Sequence, residues 1–449
     1  MGLLWITMCT CLPSVLVGFT WFKDGLNLPQ VIICTIISMG LMMAYVLPAA
    51  HIGSTTGHSY GTLIKSVFGR TGKKVVAFNL LWMFVAWYGL ASLFLADGLK
   101  ELFHVDLPLI WVAPALAVVM AFNNFWGFKG VANFARYFAA PLLIIWVGYT
   151  MFKTISMCPA TIMSEPGTCT FISAFATVAN FIIGLCVWGN EADYWRHGQP
   201  TLKASAWPLG VAMFIGQVIF PVTGFLVARI SGITDYAAGT RFMNEYSFGG
   251  IAIFGALVIT ASFFAANDSN LYGSTNALQQ LIKLPHRIAV AILTVFGAGV
   301  AAFLSTTGCA ASLEKVMSLN CVVMAMPTVF IAVEFFLIRK FLSIKTDFSR
   351  VPSDDELPNL RIPALVALIV GCIIGIGTSG ALPGTDTLKI GICSLQGWFA
   401  GLAVYIPMRW WEHRLEVADR ALLKESANLL KVGSTGAAEH VQLVQKESA

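Results

Sequence analysis

Four long apolar stretches of this chain contain residues that a hydrocarbon environment makes expensive, and their types and spacing show what chemistry is available. Thr10, Cys11, Leu12, Pro13 and Ser14 interrupt the first stretch, where a mid-span proline removes one backbone hydrogen bond and frees a carbonyl about one turn earlier. Gly184 and Gly189 flank Cys186 and Trp188 in a later stretch. Trp82, Phe84, Trp87 and Tyr88 crowd another, and a tryptophan facing a cavity offers a large rigid face on which a planar ring can stack. Thr260, Ser262 and Asn267 lie in the fourth; an Asn amide donates and accepts at once, which suits the paired edge of an amide-like heterocycle. The chemistry on offer is recognition rather than bond making. Each feature also has a bland reading as a kinked packing helix or a tryptophan set against neighbours or lipid headgroups.

The elements that position these residues are membrane spans. Of 449 residues, 57% are apolar and only 11% charged, against roughly 25% charged in a soluble domain, which excludes a soluble enzyme. The +5 formal charge does not indicate nucleic acid, because Lys and Arg sit at the ends of apolar runs and form no basic stripe; the partner is the lipid bilayer. Since about 20 apolar residues cross the hydrocarbon core, twelve spans are expected near 3–22, 30–50, 75–97, 107–125, 138–156, 170–189, 205–229, 249–272, 287–306, 316–338, 362–382 and 387–408. Long runs without strict alternation that must satisfy their own backbone in lipid are helices, so the fold class is an all-α polytopic membrane protein. Spans one and six hold equivalent places if spans 1–5 (3–156) and 6–10 (170–338) form two halves, the pattern of an inverted-repeat secondary transporter. Two extra spans (362–408) complete a transmembrane domain over 1–411, with a tail over 412–449.

Orientation follows from the basic residues. With the first span leaving the cytoplasm, 21 of the 28 Lys and Arg fall on the inner side, so both termini are expected there, in a cell membrane such as the bacterial inner membrane. Met1 to Trp21 has no basic leading region and reads as a first span, not a cleaved signal; a polar stretch usually precedes such a span, so the start could be truncated. Beyond Trp411 the composition suggests a short surface helix, then a disordered end from Gly433. Eight of the ten Cys lie in or beside apolar runs as small hydrophobes, while Cys158 and Cys169 share an external loop where a disulfide is compatible with an oxidising compartment.

Several motifs fail on context. Gly375 to Gly380 fits a dinucleotide fingerprint as a string but ends an apolar span with no strand before it. The nucleotide-loop pattern near Gly72 has Val67 where its first glycine belongs and Lys74 where magnesium needs Ser or Thr, so any pumping uses an ion gradient. Asn267-Asp268-Ser269 matches a glycosylation acceptor inside a span and is noise. Glu191 and Glu334, near cytoplasmic helix ends, read as solvated or paired with Arg196 and Arg339 rather than as proton carriers.

Together, four segments resemble the nucleobase-cation symporter family, especially its cytosine-permease-like, purine-transporting branch. They are Val85-Ala86-Trp87-Tyr88-Gly89, Phe125-Trp126-Gly127 through Ala139-Ala140-Pro141, Ala192-Asp193-Tyr194-Trp195-Arg196, and Ala266-Asn267-Asp268-Ser269-Asn270-Leu271-Tyr272. The resemblance implies a leucine-transporter-like fold of five plus five inverted helices with two more, and alternating access around a midplane site. It implies that Trp87 stacks on the substrate and Asn267 binds it. It places Ser262, with Thr260 and Ala261 beside it, at a sodium site completed by carbonyls near Met8 and Cys11; sodium is a hard cation that wants oxygen. This sequence also departs from the pattern. Gly184 stands where the family often puts a second aromatic, so Trp188, one turn later, either stacks in its place or leaves the ring held on one side. Phe84 stands where the cytosine branch shows a polar amide.

The leading reading is a symporter for a planar nitrogen heterocycle of the cytosine, purine, allantoin or hydantoin class, coupled to sodium or protons, with no cofactor and no obligate protein partner. Substrate contacts are expected from Trp87, Asn267, Phe84, Gly184, Cys186, Trp188 and Leu12. A membrane-embedded enzyme would need an intramembrane His, Asp or Glu cluster that the sequence does not offer. A transporter-like nutrient sensor would keep the cavity and lose coupling, but only about forty residues follow the last span.

Overall fold

The computed structural model describes residues 1–344, 348–382, 384 and 386–418, and among these the regular structure is helical throughout. Its helices are α1 (Gly2–Cys9), α2 (Leu12–Lys23), α3 (Leu28–Thr56), α4 (Tyr60–Phe103), α5 (Leu109–Trp126), α6 (Phe128–Met157), α7 (Phe171–Cys186), α8 (Glu191–Trp195), α9 (Leu202–Ser231), α10 (Tyr236–Tyr246), α11 (Ala252–Leu281), α12 (His286–Ser305), α13 (Cys309–Val323), α14 (Ala325–Val333, continuing through a π turn to Phe341), α15 (Ile362–Gly377) and α16 (393–418).

Among the described residues eight helices are long and apolar enough to cross a membrane, or nine when the bent pair α1 and α2 counts as one span. The expected spans near 170–189 and 362–382 fall on α7 and α15, which have 16 residues each. At 1.5 Å per residue that is about 24 Å, short of the roughly 30 Å hydrocarbon core. The expected span at 387–408 falls on α16, which begins later and runs unbroken to 418, through the start of the surface helix expected after Trp411; the rest of that expected helix and the expected disordered end from Gly433 lie outside the described residues.

Two helices are interrupted at depth. Between α1 and α2 the chain bends by 43° through extended backbone at Thr10 and Cys11. Pro13 acts differently from the expectation of a mid-helix proline, because it occupies the first turn of α2, where a missing N–H costs nothing. Thr10 Oγ1 donates to the Ile6 carbonyl at 2.7 Å, and Ser14 Oγ accepts the Cys11 N–H at 3.3 Å. α7 stops at Cys186, Val187 is extended, Gly189 has φ +74°, and α8 resumes at Glu191.

α4 starts well before the expected span at 75 and takes in Lys65, Arg70, Lys73 and Lys74. It is broken at Gly69 (φ +86°, ψ 177°), a backbone state almost confined to glycine. A Cβ there would lie 2.7 Å from the Pro358 carbonyl, and the segment before α15 fills the break: Arg70 and Thr71 N–H groups donate to Pro358 and Asn359, and Arg361 N–H to Phe68. On that face Glu334 accepts from Arg409 at 2.6 Å and Tyr405 at 2.7 Å, both on α16, in place of the expected Arg339. Glu191 accepts from Tyr45 at 3.1 Å and from backbone N–H groups, in place of the expected Arg196.

Cys158 and Cys169 are free thiols. Their loop is held instead by Glu165, which accepts two bonds from Arg229 at 2.7 and 2.8 Å; the guanidinium keeps that carboxyl below the usual carboxylate range. The expected loop between spans seven and eight carries α10, which the apolar pattern did not reveal.

Candidate functional site

The broken stretch after α7 exposes backbone groups where no water can satisfy them, and distant side chains do so instead. Asn320 on α13 donates through Nδ2 to the carbonyls of Gly184 (2.9 Å) and Val187 (3.0 Å). Glu191 Oε1 accepts the N–H groups of Trp188 (3.1 Å) and Gly189 (3.0 Å), and Thr328 donates to the Gly189 carbonyl. These bonds brace the irregular backbone from α13, α14 and α8.

At the level of both breaks lies a small cavity walled mainly by aromatic and aliphatic side chains. α4 contributes Phe84, Trp87 and Phe94, the break after α7 contributes Trp188, and α11 contributes Phe263 and Asn270. Phe84 and Trp188 approach with centroids 6.0 Å apart and planes tilted by 31°, and Phe94 stacks on Phe263 at 5.8 Å. Phe84 gains its place because Gly273 has no side chain: a Cβ there would sit 2.7 Å from the ring.

Of the residues expected from sequence, the cavity brings together Trp87, Phe84, Trp188, Met8 and Cys11. Gly184 lies outside the lining, packed so closely on α13 that a Cβ would be 3.1 Å from Met317. Cys186 and Leu12 are buried in packing. Asn267 also lies outside the lining: its Nδ2 donates to the Tyr88 carbonyl at 3.0 Å and to Met120 sulfur at 3.4 Å, and its Oδ1 accepts from Asn270 at 3.3 Å. The polar groups that do face the space are ones the sequence reading passed over. Asn270 and Asn320 line it, and the Asn320 Oδ1 and Trp188 Nε1 atoms are buried without a hydrogen-bond partner. An Asn at 320 inside the tenth apolar run was a readable signal, because polar side chains at depth are costly unless used.

A larger cavity, rimmed by Asp24, Thr170 and Lys389, reaches down to Pro13, which the central cavity also touches. On the opposite face a third cavity, bounded by Met1, Arg136 and His197, shares no lining residue with the central one.

Residues 2–395 match the sequence profile of a family described as permease for cytosine/purines, uracil, thiamine and allantoin. The chain belongs to that family. It is a multi-pass membrane transporter, not an enzyme. No curated protein sequence matches the permease significantly. Among solved structures it is similar to Mhp1, a nucleobase-cation-symport-1 family transporter in a closed conformation with bromovinylhydantoin bound, with TM-score 0.67, 16% identity and 91% of each chain covered. It is similar to the inward-facing conformation of Mhp1, with TM-score 0.65, 17% identity and 92% of this chain and 90% of that chain covered. It also resembles the outward-open state of a Na+-coupled sialic acid symporter, with TM-score 0.62, 11% identity and 91% and 89% covered. At these identities the likeness is one of fold.

In the permease, Ser262 is buried and its Oγ has no hydrogen-bond partner, while Ala261 packs with Ala139 and Ala265 and Thr260 is half-buried. An orphaned hydroxyl on α11, which packs against α1 and α2 beside their break, is the donor type a hard cation takes. The carboxylate of α11, Asp268, accepts from Asn123 at 2.8 Å and Asn124 at 3.2 Å and belongs to the junction with α5.

Proposed function

We propose that the permease is a secondary active symporter that imports a planar nitrogen heterocycle, of the cytosine, purine, allantoin or hydantoin class, with sodium by alternating access. The observation that carries this is the aromatic-walled cavity at the meeting of two braced helix breaks, with two unpartnered polar atoms beside it. Trp87, Phe84 and Trp188 hold the ring faces, and Asn320 Oδ1 and Trp188 Nε1 offer one acceptor and one donor to its edge. Asn267 holds Asn270 in place from behind. Ser262, with backbone carbonyls near Met8 and Cys11, holds the cation. That the solved neighbours include a transporter with a hydantoin bound and a Na+-coupled symporter supports the substrate class and the ion.

The proposed architecture is twelve spans, with repeats over about 3–156 and 170–338, extra helices over 362–408 and a tail over 412–449, both termini cytoplasmic in a bacterial inner membrane. The test is uptake of radiolabelled cytosine, adenine, hypoxanthine, uracil, allantoin and hydantoin into proteoliposomes with and without a sodium gradient. Saturable uptake of at least one that rises with inward sodium supports the proposal; uptake of none, or uptake indifferent to the sodium gradient, refutes it.

A further inference from the structure

The cavity that rises from Pro13 to the rim at Asp24 and Lys389 has two thiols facing each other in its wall. Cys321 on α13 and Cys393 at the start of α16 are 1% and 3% exposed, their sulfurs are 3.6 Å apart, and both line the cavity. Their backbones are held in place. Asn180 Oδ1 accepts the Cys393 N–H at 3.1 Å and its thiol at 3.4 Å, and the Trp398 indole N–H donates to the Cys321 carbonyl at 2.9 Å. A disulfide has sulfurs about 2.05 Å apart, so closure needs an approach of about 1.6 Å, which lies within side-chain rotation when the partners already face each other. Nothing in the proposed transport reaction uses either sulfur.

We propose that Cys321 and Cys393 form an oxidisable dithiol whose disulfide ties α13 to α16 and arrests the permease with this cavity open. α13 is the element that matters, because Met317 and Cys321 face the open cavity while Asn320 and Met324 face the central one, and Asn320 braces the broken backbone after α7. A bond at Cys321 therefore fixes the wall between the two spaces. The oxidant is a peroxide, small and polar enough to enter from the rim. One thiol loses its proton and attacks the peroxide, the O–O bond breaks and the sulfenic acid forms with release of water; the second thiol displaces the hydroxyl as a second water, and the S–S bond forms. Two thiols lose two electrons and the peroxide takes them up.

The arrest rests on the alternating-access reading, and the experiment separates the two. Full-length protein in proteoliposomes is treated with hydrogen peroxide, then with dithiothreitol, and three quantities are read: the cross-linked peptide containing 321 and 393 by mass spectrometry, heterocycle uptake, and the labelling rate of Ser269→Cys by a methanethiosulfonate reagent. Ser269 is fully buried in this conformation, beside Tyr194, whose ring packs with Tyr272 and Phe128 at the opposite cavity, so a thiol there is reached only when that side opens. The expected result is a 321 to 393 cross-link, uptake and Ser269→Cys labelling both lowered at least about tenfold, and recovery of both on reduction. Cys321→Ser and Cys393→Ser should keep their uptake under peroxide. Absence of the cross-link overturns the dithiol. A cross-link that leaves labelling at 269 unchanged overturns the arrest, as does equal peroxide sensitivity in both serine variants. Reduced wild-type protein that moves no heterocycle defeats the transport reading alone, because the cross-link and the labelling at 269 are read without any substrate.

Discussion

The Asn270 side-chain amide donates to Asn267 Oδ1 at 3.3 Å, one turn back along α11, while the Asn267 amide donates across to the Tyr88 carbonyl on α4. Asn267 is therefore occupied at both ends, and Asn270 is the member of the pair that reaches the cavity. Asn270→Ala is expected to weaken substrate binding by about 5- to 150-fold, the roughly 1–3 kcal/mol of a lost buried partner, with a melting temperature close to wild type. Asn267→Ala should lower the melting temperature as well, because it leaves a Tyr88 carbonyl bond unmade between two spans. Normal binding by Asn270→Ala beside a stable, non-binding Asn267→Ala would return the substrate role to Asn267.

Ring stacking is tested at Trp87. Trp87→Ala should raise the substrate dissociation constant at least about tenfold, and Trp87→Phe should keep part of the affinity because a ring face survives. Equilibrium binding of the best-transported heterocycle reads this directly, and equal affinity for wild type and Trp87→Ala would remove the aromatic wall from the site.

Sodium coupling is tested at the orphaned Ser262 hydroxyl. Ser262→Ala should raise the sodium concentration for half-maximal uptake about tenfold while leaving maximal uptake at saturating sodium near wild type. Uptake that ignores sodium and collapses with the proton gradient would show that the hydroxyl serves packing.

Membrane orientation is tested at two lysines. An impermeant thiol reagent added outside intact cells should label Lys100→Cys and spare Lys283→Cys, since 21 of the 28 basic residues lie on the side assigned to Lys283. The reverse pattern would invert the protein and place the open cavity on the cytoplasmic face.

Sequence alone determined the class of molecule and the neighbourhood of its site. Run length and the absence of charge report on transfer into hydrocarbon, which is a local property, so the helices and the two costly interruptions near Pro13 and Gly189 were legible without any neighbour. Trp87, Phe84 and Trp188 could be marked as large rings within apolar runs and by their places in the family pattern. Tertiary structure decided which way each polar group points, because that depends on which remote helix satisfies it. Asn267 turns to a carbonyl on α4, Asn320 reaches 136 residues back to Gly184, and Glu334 takes Arg409 instead of Arg339. No local pattern encodes such pairings, since they arise only when the backbone groups left open by one broken helix meet donors that another helix has brought to the same depth.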